Sequence, residues 1–295
     1  MKFDYYVLST YVPEADGDGP ELYAKWMEQV TLAEELGFDC AWFTEHHFRA
    51  FGGMLPSPQL LIAALAQRTT RIRLGIAVVI LPFYNPVRIA EETAVLDILS
   101  DGRVDVGVGR GMGIQYYDVF GADPATAQEK LEEQVDLLRT AWAGDAFSWN
   151  GKYYQCPNPI TLMPRPVQRP HPPLWMPVSG DPSHARWVGR LGVNLMTLPW
   201  NHPDFTTPRR VIDEYHCGLE EAGHAQNGHE VMGYFPIYVG ETQERARDEA
   251  EECWNRWRRI SAEARGTPER EPLTYDLAVE SSRAILGDPE MCRQH

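Results

Sequence analysis

The stretch Ile72–Gly111 constrains this chain most, because it reads strand, turn, helix, turn, strand. Ile72–Val79 is apolar and β-branched without alternation, the pattern of a strand buried on both faces. Pro82 and Pro86 punctuate the turn that follows. Val87–Leu99 carries apolar residues at helical spacing, with Glu91 and Glu92 on the wet face, and Ser100-Asp101-Gly102 stops it. Arg103–Val108 is a second short strand. Two strands joined through a helix make a parallel βαβ unit. The strands run out into LPFYNP and GVGRGMG, and in parallel α/β proteins chemistry collects at those C-terminal strand ends.

The same rhythm extends both ways. Strands are expected over Phe3–Ser9, Asp39–Phe43, Leu174–Val178, Val193–Thr197 and Val231–Val239. Helices are expected over Leu22–Leu36, Gln59–Gln67, Gln128–Trp142, Ser183–Leu191, Arg209–Ala222 and Glu241–Ile260, with a polar loop over Ser261–Pro272. The rhythm breaks once, over Gly144–Pro173. There FSWNGKYYQ predicts a hairpin around an Asn-Gly turn, and a proline-dense run follows that suits neither helix nor central strand. With 295 residues the chain is near the ~250 typical of a (β/α)8 barrel. The expected fold is therefore α/β, a (β/α)8 TIM barrel in a single domain over 1–295, with an excursion between strands 4 and 5 at about 144–173. A doubly wound sheet is the structural alternative. The pattern supplies seven strands, so the eighth strand and helix are expected to lie beyond the tail LGDPEMCRQH.

Charge and cysteines narrow the function classes. A net charge of −15 argues against a nucleic-acid partner, which needs a basic face. Cys40, Cys156, Cys217, Cys253 and Cys292 form no paired framework, which points to a reduced, cytoplasmic protein. The N-terminus has no apolar signal core, and the longest apolar run, Leu74–Phe83, is too short to span a membrane.

Three clusters are candidates for chemistry. Glu45-His46-His47 ends the second strand. A polar strand end is the plain reading. Metal binding is weaker, because adjacent histidines on extended chain point apart and no third ligand is spaced nearby. Acid–base work suits it better, since histidine titrates near neutral pH. GVGRG, with Gly109 and Arg110, lacks the dinucleotide-binding GxGxxG pattern, and alone its glycines mean tight packing. Ser179-Gly180-Asp181-Pro182-Ser183 opens a helix; it is a good N-cap and also a possible phosphate seat. Tyr6, Trp42, Phe83, Tyr116, Tyr117, Trp175 and Trp200 read as core, with a few at strand ends able to line an apolar pocket.

With these residues in view, the chain resembles the bacterial luciferase-like flavin-dependent monooxygenases nearly end to end. The stretches that carry the resemblance are WFTEHHFRAFGG (Trp42–Gly53), RLGIAVVILPFYNPVRIAEE (Arg73–Glu92), LSDGRVDVGVGRG (Leu99–Gly111), VSGDPSHARWVGRLG (Val178–Gly192) and the final LGDPEMC. The resemblance implies an enzyme using reduced FMN from a separate flavin reductase. That enzyme would react with O2 through a C4a-peroxyflavin and oxygenate a small organic substrate. Some relatives use the deazaflavin F420 for hydride transfer instead, and a non-catalytic flavin-binding protein is a third reading. A homodimer is expected. By position, His46 matches the family's catalytic histidine, and Glu45 would orient it or line the flavin pocket. Ala77-Val78 matches a non-proline cis peptide beneath the flavin. Gly109 and Arg110 would flank the ring, with Gly109 standing where true luciferases carry a reactive cysteine. Ser179, Gly180, Asp181 and Ser183 would hold the phosphate, and Gln128 replaces a second phosphate arginine.

Overall fold

The computed structural model describes residues 1–8, 10–111, 113–225, 228–265 and 273–294. It divides into two compact units, Met1–Trp175 and Met176–His295.

The first unit is built as expected from parallel strands alternating with helices. In order it holds β1 (Asp4–Val7), the short α1 (Pro13–Asp16), α2 (Gly19–Leu36), β2 (Cys40–Phe43) and α3 (Pro58–Ala66). There follow β3 (Arg73–Ile80), α4 (Pro86–Leu99), β4 (Val104–Gly109), α5 (Ile114–Phe120) and α6 (Ala127–Trp142). The β1–β2, β2–β3 and β3–β4 pairs are all parallel. Beyond β4, Val106 and Gly107 pair with Leu174 and Trp175 at the start of β7 (Leu174–Pro177). Every residue of β2 and β4 is buried, the mark of strands covered on both faces. Burying side chains such as Phe43, Ile76 and Val106 stabilises the unit by ~1.5–3 kcal/mol each.

Local signals set the helix ends. Asp18 and Glu21 form a reciprocal capping box on α2, and Gly37 closes that helix in the left-handed conformation. Asn85 caps α4 through the Val87 amide at 2.9 Å, with Pro86 in the first turn. α5 was not legible, having only seven residues and no side-chain cap. The expected strand Phe3–Ser9 is four residues long, and Ser9 lies outside the described residues.

The stretch 144–173 does contain a hairpin, β5 (Phe147–Asn150) and β6 (Gln155–Ile160). Its turn is longer than a two-residue Asn-Gly turn. The Glu133 carboxylate on α6 accepts from the Tyr153 amide (2.9 Å), the Tyr154 amide (2.9 Å) and the Trp149 indole (3.1 Å), which opens the loop around itself. Further on, the buried Asp97 carboxylate accepts from the amides of Val167 (2.6 Å) and Gln168 (2.9 Å), tying the proline-rich run to α4.

In the second unit, β7 continues to α7 (Pro182–Arg190), β8 (Asn194–Thr197), α8 (Thr206–Glu221) and β9 (Val231–Gly233). After these come β10 (Ile237–Val239), α9 (Gln243–Arg265), α10 (Tyr275–Glu280), β11 (Ile285–Gly287) and α11 (Pro289–Gln294). The Val178 amide donates to Met196 at 2.9 Å, and β8 pairs in parallel with β9. Val231–Val239 is not one strand, as expected, but two. At Tyr234–Pro236 the chain changes partner. The Tyr234 amide still bonds Thr197 on the β8 side, while Pro236 offers its carbonyl to Ile285, and β10 then pairs with β11. A proline has no amide for a continuous ladder. The three-residue β11 is too short to show a period, so the sequence did not announce it. α9 runs past the expected loop start at Ser261, and residues 266–272 of that loop lie outside the described residues. Its inner face, with Ala250 and Trp254, packs on Leu273, Tyr275, Ala278 and Leu286. No helix among the described residues is long and apolar enough to cross a membrane.

Candidate active site

β2 delivers Glu45, His46 and His47 at its C-terminal end, and the two imidazoles have different surroundings. Glu45 is 3% exposed and its carboxylate has three donors. The Ile80 amide reaches Oε2 at 3.1 Å; the Tyr84 hydroxyl and His47 Nε2 reach Oε1 at 2.8 and 3.1 Å. Glu45 therefore orients His47, the neighbour of the histidine that the sequence singled out. The Tyr84 hydroxyl is pushed well above the usual phenol range, by burial first and then by the charge and hydrogen bond of Glu45.

His46 sits among rings. Phe51 lies edge-on at 5.4 Å between centroids and Tyr116 at 6.5 Å. Burial pushes its pKa down to about 4, with charge on His47 adding to the effect. The ring is thus neutral at physiological pH. His47 meets Tyr116 at 5.4 Å and Phe120 at 4.8 Å, and Phe120 stacks on Phe83 at 5.0 Å. This aromatic wall comes from the β2 end, the turn after β3, and α5.

β3 supplies the floor. Its Ala77-Val78 peptide is cis. The ladder to β4 shifts register between Ile76 and Val79, so the two intervening residues form a bulge, a common device beside functional sites. Ala77 and Val78 are half-exposed, while Leu74–Ile76, Val79 and Ile80 are buried. At the adjacent strand end Gly109 pairs with Ile80 and is buried. Arg110 follows with an exposed side chain, its carbonyl accepting from the Tyr117 hydroxyl. The structure thus brings Glu45, Ala77, Val78, Gly109 and Arg110 to neighbouring strand ends within one unit.

The remaining expected residues belong to the second unit. Ser179, Asp181 and Ser183 are exposed and Gly180 is half-buried. The amides that open α7 are already engaged: Asp181 Oδ1 accepts from the Ser183 amide at 2.9 Å, the His184 amide at 3.4 Å and the Ser183 hydroxyl at 2.6 Å. The Ser183 bond is the main reason the Asp181 carboxyl lies below its usual range. His202 hydrogen-bonds the Ser179 carbonyl. Among the described residues, no three His, Cys, Asp or Glu side chains converge as a metal site would require.

Sequence reasoning left two members of the first-unit cluster without a role. His47 was visible only as half of a histidine pair. Tyr84 was visible only as part of the LPFYNP turn. Nothing in their spacing announces the shared carboxylate, because the Tyr84 contact spans 39 residues.

Comparison with known proteins places the chain in a family. The oxygenase component of the flavin-dependent trigonelline monooxygenase of Acinetobacter baylyi is 31% identical over 254 residues, which is 85% of this chain and 69% of that protein. Limonene 1,2-monooxygenase of Rhodococcus erythropolis is 29% identical over 290 residues, 94% of this chain and 72% of that one. Among solved structures, monooxygenase RslO1 from Streptomyces bottropensis matches with a TM-score of 0.92 at 28% identity, covering 100% of this chain and 87% of its own. The family model for luciferase-like monooxygenases matches residues 1–295. The chain belongs to the luciferase-like monooxygenase family of enzymes.

Proposed function

We propose that this chain is the oxygenase of a flavin-dependent monooxygenase. It binds reduced FMN supplied by a separate flavin reductase and uses O2 to oxygenate a small organic substrate. The observation that carries the reading is the half-exposed Ala77-Val78 shelf on an otherwise buried strand, with the Glu45 carboxylate anchored to the same strand through Ile80.

That shelf suits a flat apolar ring system. It is side-chain-poor, and the flanking Gly109 adds no bulk. Arg110 offers an exposed positive charge for an anionic edge or phosphate. Reduced flavin supplies the electrons that let O2 react. The protein's part is to hold the ring, exclude water and place proton-handling groups. His46, neutral in its ring pocket, accepts a hydrogen bond at its bare nitrogen without first losing a proton. In the second unit Ser179, Gly180, Asp181 and Ser183 are the proposed phosphate seat. There the incoming phosphate competes with the Asp181 carboxylate for the Ser183 and His184 amides.

The test is anaerobic titration of the purified protein with FMN, reduced FMN and F420, followed by admission of O2. Tightest binding of reduced FMN, with O2 uptake on mixing, is the expected result. Preference for F420 without O2 uptake would replace this reading with hydride transfer. Binding of FMN without O2 uptake would leave the non-catalytic flavin-binding protein. Sedimentation of the same sample tests the homodimer expected with this function.

A further inference from the structure

The buried Glu45 carboxylate joins the turn after β3 to the end of β2. We propose that Tyr84 is a positioning residue: through Glu45 it holds His47 with its proton on Nε2, so that Nδ1 is the nitrogen that takes and returns a proton. The reaction served is the proposed flavin oxygenation, but the geometry stands in the free protein.

A carboxylate only accepts hydrogen bonds. Tyr84 and His47 share Oε1 of Glu45, at 2.8 and 3.1 Å, so both must be donors. His47 is therefore the Nε2–H tautomer when neutral, and its lone pair is on Nδ1. The third donor, the Ile80 amide on Oε2, pins the carboxylate to β3. Glu45 has no side-chain exposure and His47 only 6%, so water does not compete for these bonds. Tyr84 keeps its proton, because burial and the adjacent carboxylate both resist phenolate formation. It is a permanent donor that shares the carboxylate with His47. Among the described residues His46 has no such partner in its ring pocket, and burial keeps it neutral. The pair thus divides the work: His46 packs among rings, and His47 is oriented by a carboxylate.

Among the described residues, the groups facing His47 are few. Glu45 and His46 come from its own strand end, Tyr84 acts through the shared carboxylate, and Tyr116 of α5 lies against the ring. Glu92 on α4 acts electrostatically on Tyr84. Phe48 and Phe120 complete the enclosure without charge.

The experiment is nitrogen-15 NMR of the histidine side chains in the flavin-free protein, for the unaltered chain, Tyr84→Phe and Glu45→Gln, followed by steady-state kinetics across pH. The unaltered chain should show His47 as the Nε2–H tautomer. Glu45→Gln should mix the tautomers, because a side-chain amide can donate to Nε2 as well as accept from it. Tyr84→Phe, which removes one of the two donors on Oε1 and lets the carboxylate turn, should weaken the lock and give a measurable Nδ1–H fraction. Its kcat should fall about tenfold with KM unchanged. A His47 found as Nδ1–H, or a Tyr84→Phe protein whose His47 tautomer and kcat are both unmoved, overturns the assignment. A locked Nε2–H tautomer in a protein that binds no flavin supports it while removing the oxygenase reading.

Discussion

Gly52 tests whether His46 is held by its surroundings. Its φ is +79°, and a Cβ built there lies 2.4 Å from His46 Cδ2 and 2.5 Å from both Cβ and Cγ. Rotating the imidazole removes only part of that overlap, since His46 Cβ is fixed to the backbone. Gly52→Ala thus carries two costs. Left-handed backbone costs an alanine ~1–2 kcal/mol. Overpacking against His46 adds ~1–3 kcal/mol, as the loop or ring shifts and the contacts with Phe51 and Tyr116 loosen. Gly37 separates the two: its φ is +91°, but nothing lies within 4 Å of its added Cβ. Gly37→Ala should therefore show the backbone cost alone. Urea unfolding of both variants, with matched m-values, reads the difference directly. Gly52→Ala should be the less stable by ~1–3 kcal/mol. It should also lose turnover while Gly37→Ala keeps it. Equal destabilisation of the two, within ~0.5 kcal/mol, would show that His46 is loosely held and would refute the account of its ring pocket.

Three further outcomes follow from the same geometry. Because the folded pKa of His46 is depressed to about 4 from 6.5, the unfolded chain binds the extra proton between those values. Stability should therefore fall as pH drops through that window, by roughly 2–3 kcal/mol; a His46→Gln variant with an unchanged pH slope would contradict this. Glu34 accepts from the amides of Thr70 (2.9 Å), Arg71 (2.5 Å) and Ile72 (2.9 Å); although burial opposes its ionisation, these bonds outweigh it and lower its pKa. Glu34→Gln should cost ~1–2 kcal/mol at pH 7, with a cost that shrinks as acid neutralises the original carboxylate, read from urea midpoints at the two pH values. Asp181→Ala should weaken the α7 cap by ~1 kcal/mol, yet raise FMN affinity several-fold by releasing the Ser183 and His184 amides; a fall in affinity would assign Asp181 a direct role in holding the cofactor.

The fold was legible where burial on both faces or helical spacing wrote itself into composition. β3 announced itself as an apolar run, and the long helices by period and cap. The misses share a physical cause: too little chain carried the signal. α5 and β11 have seven and three residues, fewer than either period needs to stand out. The break at Tyr234–Pro236 changes strand partner inside one apolar run, and composition is silent about partners.

The site was legible as a place more than as a set of roles. Parallel strands pointed to their own C-terminal ends, and the chemistry-bearing residues of the first unit do gather there. Roles depend on which atom faces which, and that is set by register and rotamer. Glu45 and His46 are adjacent in sequence, yet on extended chain adjacent side chains diverge. The carboxylate therefore meets the next-but-one residue, His47, on its own side of the strand. That alternation was available from the sequence once β2 was assigned, and it favours the i, i+2 pair over the i, i+1 pair. The third partner was not available, because Tyr84 reaches Glu45 across the β2–β3 pairing. A carboxylate buried at a strand end needs donors from somewhere, so Glu45 demanded such a partner even when the sequence could not name it.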